Sequence, residues 1–259
     1  MYVVSRLAFS EVPPATLGLA RLVVGVPALV LVLRRWPALW EGRFALLGGT
    51  LATTLILQFW GTDLSGAAAG SLLTLPTPVF VAIAAPFLLA EPTRPSQWAG
   101  IAVALAGAML VSGFAGGSSL LGDILLVGSA ATYAAFTVLG ARPVRQLGAL
   151  PVTAAASIWA LPAMLVAALV ELRLGQVPRA GPGTLLAVLY LGLGATALAW
   201  WAWYRGIERM PAARASVLFL LQPVVGVGLS LPVFGLRPTP SFAAGSALIV
   251  AGTLLASRR

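Results

Sequence analysis

Cysteine, histidine and lysine are all missing from this chain. Without cysteine there is no disulfide framework, no thiol nucleophile and no sulfur ligand, and without histidine there is no imidazole for zinc-type coordination or for acid–base work near neutral pH. Charge of either sign is scarce: 9% of residues are charged, and seven are acidic. The sixteen basic residues are all arginine and leave a net charge of +9. They stand in ones and twos between apolar runs instead of clustering on a face, which argues against a nucleic-acid-binding surface. No two carboxylates share a span and no serine sits in a nucleophile-elbow pattern, so an enzyme is not expected. "GLGATA", residues 192–197, fits a loose dinucleotide pattern. It lies inside an apolar run with no strand before it, so no cofactor is expected from it.

What fills the 259 residues is 59% hydrophobic side chains, with a mean hydropathy of +0.98. Such a chain lacks the polar surface a soluble domain of this size needs, and it belongs in a bilayer. A hydrocarbon core of about 30 Å takes about 20 apolar residues per helix. Runs of that kind fall near Thr16–Leu33, Phe44–Gly61, Ser65–Ala90, Gln97–Phe114, Leu121–Ala141, Leu150–Glu171, Gly183–Tyr204, Pro211–Gly235 and Pro240–Ala256. Before them "MYVVSRLAF" reads as the back half of a helix whose front half is missing. The connections are short and rich in turn residues, so one membrane unit is expected.

Alternate connections carry most of the arginines: Arg34, Arg35 and Arg43; Arg94; Arg142 and Arg145; Arg205, Arg209 and Arg214; and Arg258 with Arg259. By the positive-inside rule, that asymmetry places the carboxyl terminus in the cytoplasm.

Residues 67–112 align without a gap on residues 212–257, 145 positions further on, with about a third of the positions identical. The matched pairs include Ser71 and Ser216, Pro78 and Pro223, Pro95 and Pro240, Gly100 and Gly245, and Gly107 and Gly252. An odd number of crossings separates the two copies, so they run oppositely through the membrane, which is a common plan of secondary carriers. Proline inside a helix frees a carbonyl four residues earlier, and in lipid that carbonyl must face protein or a water-filled cavity. Pro78 and Pro223, with the neighbouring Thr74, Thr77 and Gln222, are thus expected at a central cavity. Gly100, Gly107, Gly245 and Gly252 are read as packing positions. Arg21, inside a span, is a functional candidate by the cost of its charge, and Arg6 is similarly placed. Trp200, Trp203 and Tyr204 share a helical side, with Trp201 apart; one subset is expected to face the cavity. Gln58 completes the candidate lining.

The segments "PPATLGLARLVVGVPALVLVLRR", "AAAGSLLTLPTPVFVAIAAPFLLAEPTRPSQWAGIAVALAGAMLVSG" and "ALAWWAWYRGIERMPAARASVLFLLQPVVGVGLSLPVFGLRPTPSFAAGSALIVAGTLLAS" resemble the EamA-type transporters of the drug/metabolite transporter superfamily. The resemblance implies an all-α integral membrane protein. Its plan would be ten helices in two inverted five-helix repeats, at 1–114 and 121–257, with the first helix truncated here. It implies transport of small metabolites such as amino acids across the bacterial inner membrane by alternating access. Under it, Arg21 matches an Arg of the second helix, Arg6 stands where Lys or Arg is common, Pro78 and Pro223 match prolines of the fourth and ninth helices, and Glu91 matches the acid closing the fourth. Leu236 stands where the family has Glu. The partners expected are a small-molecule substrate, the lipid bilayer and a coupling proton, with no nucleic acid and the chain a monomer or homodimer. Export is the expected direction; a non-transporting scaffold, sensor or degenerate copy is the alternative.

Overall fold

The computed structural model describes residues 1–33, 41–112, 119–179, 181–222 and 240–257. Pro223, Leu236, Phe114 and most of the span read at Pro211–Gly235 lie outside these residues. Among the described residues every regular element is a helix: α1 (Tyr2–Ala8), α2 (Pro14–Val32), α3 (Arg43–Leu73), α4 (Thr77–Leu89), α5 (Pro95–Ser112), α6 (Leu120–Leu147), α7 (Ala149–Arg173) and α8 (Pro182–Leu189). From α8 the chain continues through a π-helical stretch, Tyr190–Leu198, into α9 (Ala199–Arg209). Then follow α10 (Ala212–Val217), a 3₁₀ turn (Leu218–Leu221) and α11 (Pro240–Ser257). Among the described residues six helical runs are long and apolar enough to cross a membrane by length and composition. The apolar outer surface fits that setting: Leu31, Phe87 and Leu120 stand exposed on the exterior of the bundle, where lipid is the solvent that stabilises them.

The sequence places a turn between Gly61 and Ser65, but the helix runs on through Asp63. It turns instead at Gly66, whose φ of 85° and ψ of 169° only glycine adopts without strain. The second and third spans are thus one chain path, Arg43–Ala67 then Ala69–Leu89. Within it a second break falls at Thr74–Pro76, where the helix gives way to a turn before α4 restarts at Thr77. Pro78 therefore sits in the first turn of α4 instead of kinking a continuous helix. Its missing N–H costs nothing there, because the first-turn donors have no partner within the helix.

Four of the seven carboxylates serve the starts of other helices, where backbone N–H groups are unsatisfied and the dipole favours negative charge. Glu171 accepts from the N–H of Ala15 and Thr16, at 2.7 and 2.8 Å, and from the Trp60 indole at 2.8 Å. Glu11 accepts from Gly181 N–H and the Thr184 hydroxyl. Glu208 accepts from Ala149 N–H at 3.3 Å. Glu91 accepts from Ala212 N–H at 2.8 Å and pairs with Arg145 at 2.6 Å.

α5 and α11 pack against each other through the glycines read as packing positions. A Cβ on Gly100 would lie 2.5 Å from the carbonyl oxygen of Gly252, and one on Gly107 would lie 2.6 Å from that of Gly245. The two helices therefore run antiparallel at backbone contact. The pairing is also reciprocal, because 252 is 107 plus 145 and 245 is 100 plus 145.

Candidate functional site: a central cavity

A cavity of about 510 Å³ lies within the bundle. α1 contributes Tyr2; α2, Arg21; α3, Thr54, Leu55 and Gln58; the turn before α4, Thr74; and α4, Thr77. α6 contributes Ser129, Ala130 and Tyr133; the π stretch and α9, Tyr190, Trp200 and Trp203; and the 3₁₀ turn and the residue after it, Phe219 and Gln222. Five pairs among the lining residues are related by the 145-residue shift: Thr54 and Ala199, Leu55 and Trp200, Gln58 and Trp203, Thr74 and Phe219, and Thr77 and Gln222. Positions 145 residues apart thus face one cavity from residue 54 onward.

One side of the wall is polar. Gln58 Nε2 donates to the Tyr2 hydroxyl at 2.9 Å, the Tyr2 and Thr74 hydroxyls are 2.7 Å apart, and Thr74 donates to the carbonyl of Gly70 at 2.8 Å. Thr77 donates to the carbonyl of Thr74 at 2.7 Å, so the break before α4 is held by its own side chains. The other side is aromatic. The Tyr133 ring lies 5.6–5.9 Å from those of Phe136, Trp203 and Phe219.

Arg21 is fully buried. It reaches the wall because α2 and the π stretch touch at backbone distance, where Gly25 and Gly192 face each other: a Cβ on Gly25 would lie 2.8 Å from the Gly192 carbonyl oxygen. Its Nε donates to the Thr196 hydroxyl at 2.7 Å and its Nη2 to the Ala195 carbonyl at 2.9 Å. The guanidinium carbon is 5.0 Å from the Trp200 ring centre and 5.6 Å from that of Phe59. In the π stretch Thr196 also donates to the carbonyl of Leu191, five residues back, at 2.8 Å. "GLGATA" is therefore the loosened backbone that holds Arg21, in keeping with the frequent placement of π-helical turns at functional sites.

Of the residues singled out from sequence, Gln58, Thr74, Thr77, Trp200, Gln222 and Arg21 meet around this cavity. Pro78 is buried beside it and is not part of the lining. Tyr204 turns away: it is fully buried, and its hydroxyl donates to the Phe136 carbonyl at 2.9 Å. Trp201 stands on the exterior, as its place on the helix indicates. Arg6 is half exposed and pairs with Asp63 at 2.6 Å, and Glu91 joins the end of α4 to the start of α10. Both lie off the cavity. Tyr2, Thr54, Ser129, Tyr133, Tyr190 and Phe219 are lining residues that sequence reasoning missed. The 145-residue shift could have pointed to Phe219, as the counterpart of Thr74.

The family model for the EamA-like transporter family matches residues 1–113 and 120–258. The chain belongs to the EamA-like transporter family. Among its EamA relatives, the uncharacterized transporter YdeK of Bacillus subtilis is 32% identical over 87% of this chain and 81% of its own. A probable terminal-alkyne amino-acid exporter of Streptantibioticus cattleyicolor is 28% identical over 95% of this chain and 84% of its own. The uncharacterized transporter YetK of Bacillus subtilis is 27% identical over 88% and 73%. A solved crystal structure, 24% identical, superposes with a TM-score of 0.77 over 99% of this chain and 94% of its own, a likeness of fold. These relatives are named as transporters and not as enzymes, and with the apolar helices they fit a multi-pass membrane protein.

Proposed function

We propose that this EamA-family chain is a secondary transporter that moves small metabolites, amino acids or related neutral and amphipathic solutes, across the bacterial inner membrane by alternating access, in the direction of export. The observation that carries the reading is the cavity itself, enclosed by helices from both ends of the chain and lined by residue pairs related through the repeat. That pairing, together with the reciprocal Gly100·Gly252 and Gly107·Gly245 contacts, supports a plan of ten helices in two inverted five-helix units, at 1–114 and 121–257, with a cytoplasmic carboxyl terminus. A likeness to a probable amino-acid exporter supports the solute class and direction.

The interior volume of about 510 Å³ lies within the usual span of small-molecule pockets, about 300–1,000 Å³, and accommodates an amino-acid-sized solute. A coupling proton belongs to the proposal. Among the described lining residues none is a carboxylate or imidazole. The monomer or homodimer is the unit of transport.

The test is flux in proteoliposomes loaded with a mixed amino-acid and metabolite panel, comparing the chain with a Thr77→Ala, Gln222→Ala double variant. Saturable flux that the double variant loses supports the carrier and a path past Thr77 and Gln222. Absence of flux from every solute in both directions favours a non-transporting scaffold or sensor.

A further inference from the structure

We propose that Arg21 is the receptor for a carboxylate on the transported solute, whose apolar body lies against Tyr133, Trp203 and Phe219; this rests on the transporter reading above. A charge buried in a membrane-spanning helix is costly and must find partners. Among the described residues four other arginines pair with acids: Arg6 with Asp63, Arg43 with Glu41, Arg145 with Glu91, and Arg205 with Glu208. Arg21 has no such partner among the described residues. Most of the carboxylates are committed to helix starts or to those arginines, and none lines the cavity.

The neutral acceptors around Arg21 do not use its full capacity. A guanidinium carries five N–H donors in a rigid fork. Here Nε and Nη2 each have one oxygen acceptor, and the partner of Nη1 is the thioether sulfur of Met1 at 3.5 Å. Sulfur is a weak acceptor, and Met1 is itself a cavity-lining residue. A carboxylate entering from the cavity would replace that sulfur and bond Nη1 with the second N–H of Nη2. The resulting charge-assisted pair is stronger for being away from water.

Two features set what the rest of the solute must be. The aromatic side of the wall offers dispersion contact and no charge. Gln222 presents a buried side-chain oxygen without a hydrogen-bond partner among the described residues, an acceptor for an N–H donor on the solute. A carboxylate, an N–H donor and an apolar body on one small molecule describe an apolar zwitterionic amino acid.

The experiment pairs binding with flux. Purified chain would be titrated with L-alanine, L-valine, L-leucine and L-phenylalanine and with the primary amide of each, read by tryptophan fluorescence and thermal shift. The same compounds would be followed by counterflow in proteoliposomes. The expected result is that at least one acid binds and moves at least about tenfold better than its amide, the scale set by a charge-assisted pair. Arg21→Gln should bring that ratio close to one, and Arg21→Lys should keep part of it. If amides equal acids in the unaltered chain, or if a folded Arg21→Gln keeps the ratio, the carboxylate receptor is wrong while the transporter stands. If Arg21→Gln does not fold, the acid-to-amide ratio of the unaltered chain decides. If no compound binds or moves but other metabolites do, the solute class is overturned; if nothing moves at all, the transporter reading falls with it.

Discussion

Replacing Glu171 with Ala would leave the N–H groups of Ala15 and Thr16 and the Trp60 indole without their acceptor in a buried setting. Unsatisfied buried donors cost about 1–3 kcal/mol each, so Glu171→Ala should lower the denaturation midpoint sharply and Glu171→Gln by less. Tyr204→Phe tests the opposite case. The hydroxyl is bound to Phe136 and away from the cavity, so its loss should cost about 1 kcal/mol of stability and leave the apparent KM for any solute unchanged. A raised KM would put Tyr204 in the path. Arg21 was legible in the sequence because a lone charge in an apolar run stands out. Glu171 was not legible, because its partners lie 155, 156 and 111 residues away and no local pattern announces them. Tyr204 shares a helical side with Trp200 and Trp203, yet one position of rotation carries it into contact with Phe136, which periodicity alone does not resolve.

At the scale of elements, the close helix contacts give the sharpest predictions. Gly100→Leu or Gly252→Leu would force a side chain into the facing backbone, so α5 and α11 must separate. Overpacking of this kind costs typically about 1–3 kcal/mol, and more when backbone is the obstacle, so the variants should be lost from the folded fraction in size-exclusion profiles. Gly206→Ala, with open space around its Cβ, is the matched control and should behave as the unaltered chain does. Gly66→Ala should also destabilise, by about 1–3 kcal/mol, through its positive φ and not through contact, since nothing lies near its Cβ. Most spans were legible from apolar runs and their punctuation. The turn at Gly66 was displaced in the reading because Gly61, Thr62 and Asp63 look more like a break than the "SGAAAG" that holds it. The π stretch was invisible to periodicity, although its two glycines were in plain view.

For the molecule as a whole, the 145-residue shift links composition to a cavity that two halves of the chain build together, with Arg21 outside the paired set. The chain has no cysteine, so a single introduced thiol reports unambiguously on its own position. The most direct test of alternating access is therefore the reactivity of Thr77→Cys and Gln222→Cys with a membrane-impermeant maleimide, applied from each side of sealed vesicles in turn. Two rocking halves around a central site predict that each thiol is modified from both sides, and that a bound solute protects it. Modification from one side alone under every condition, or from neither, would contradict the transporter.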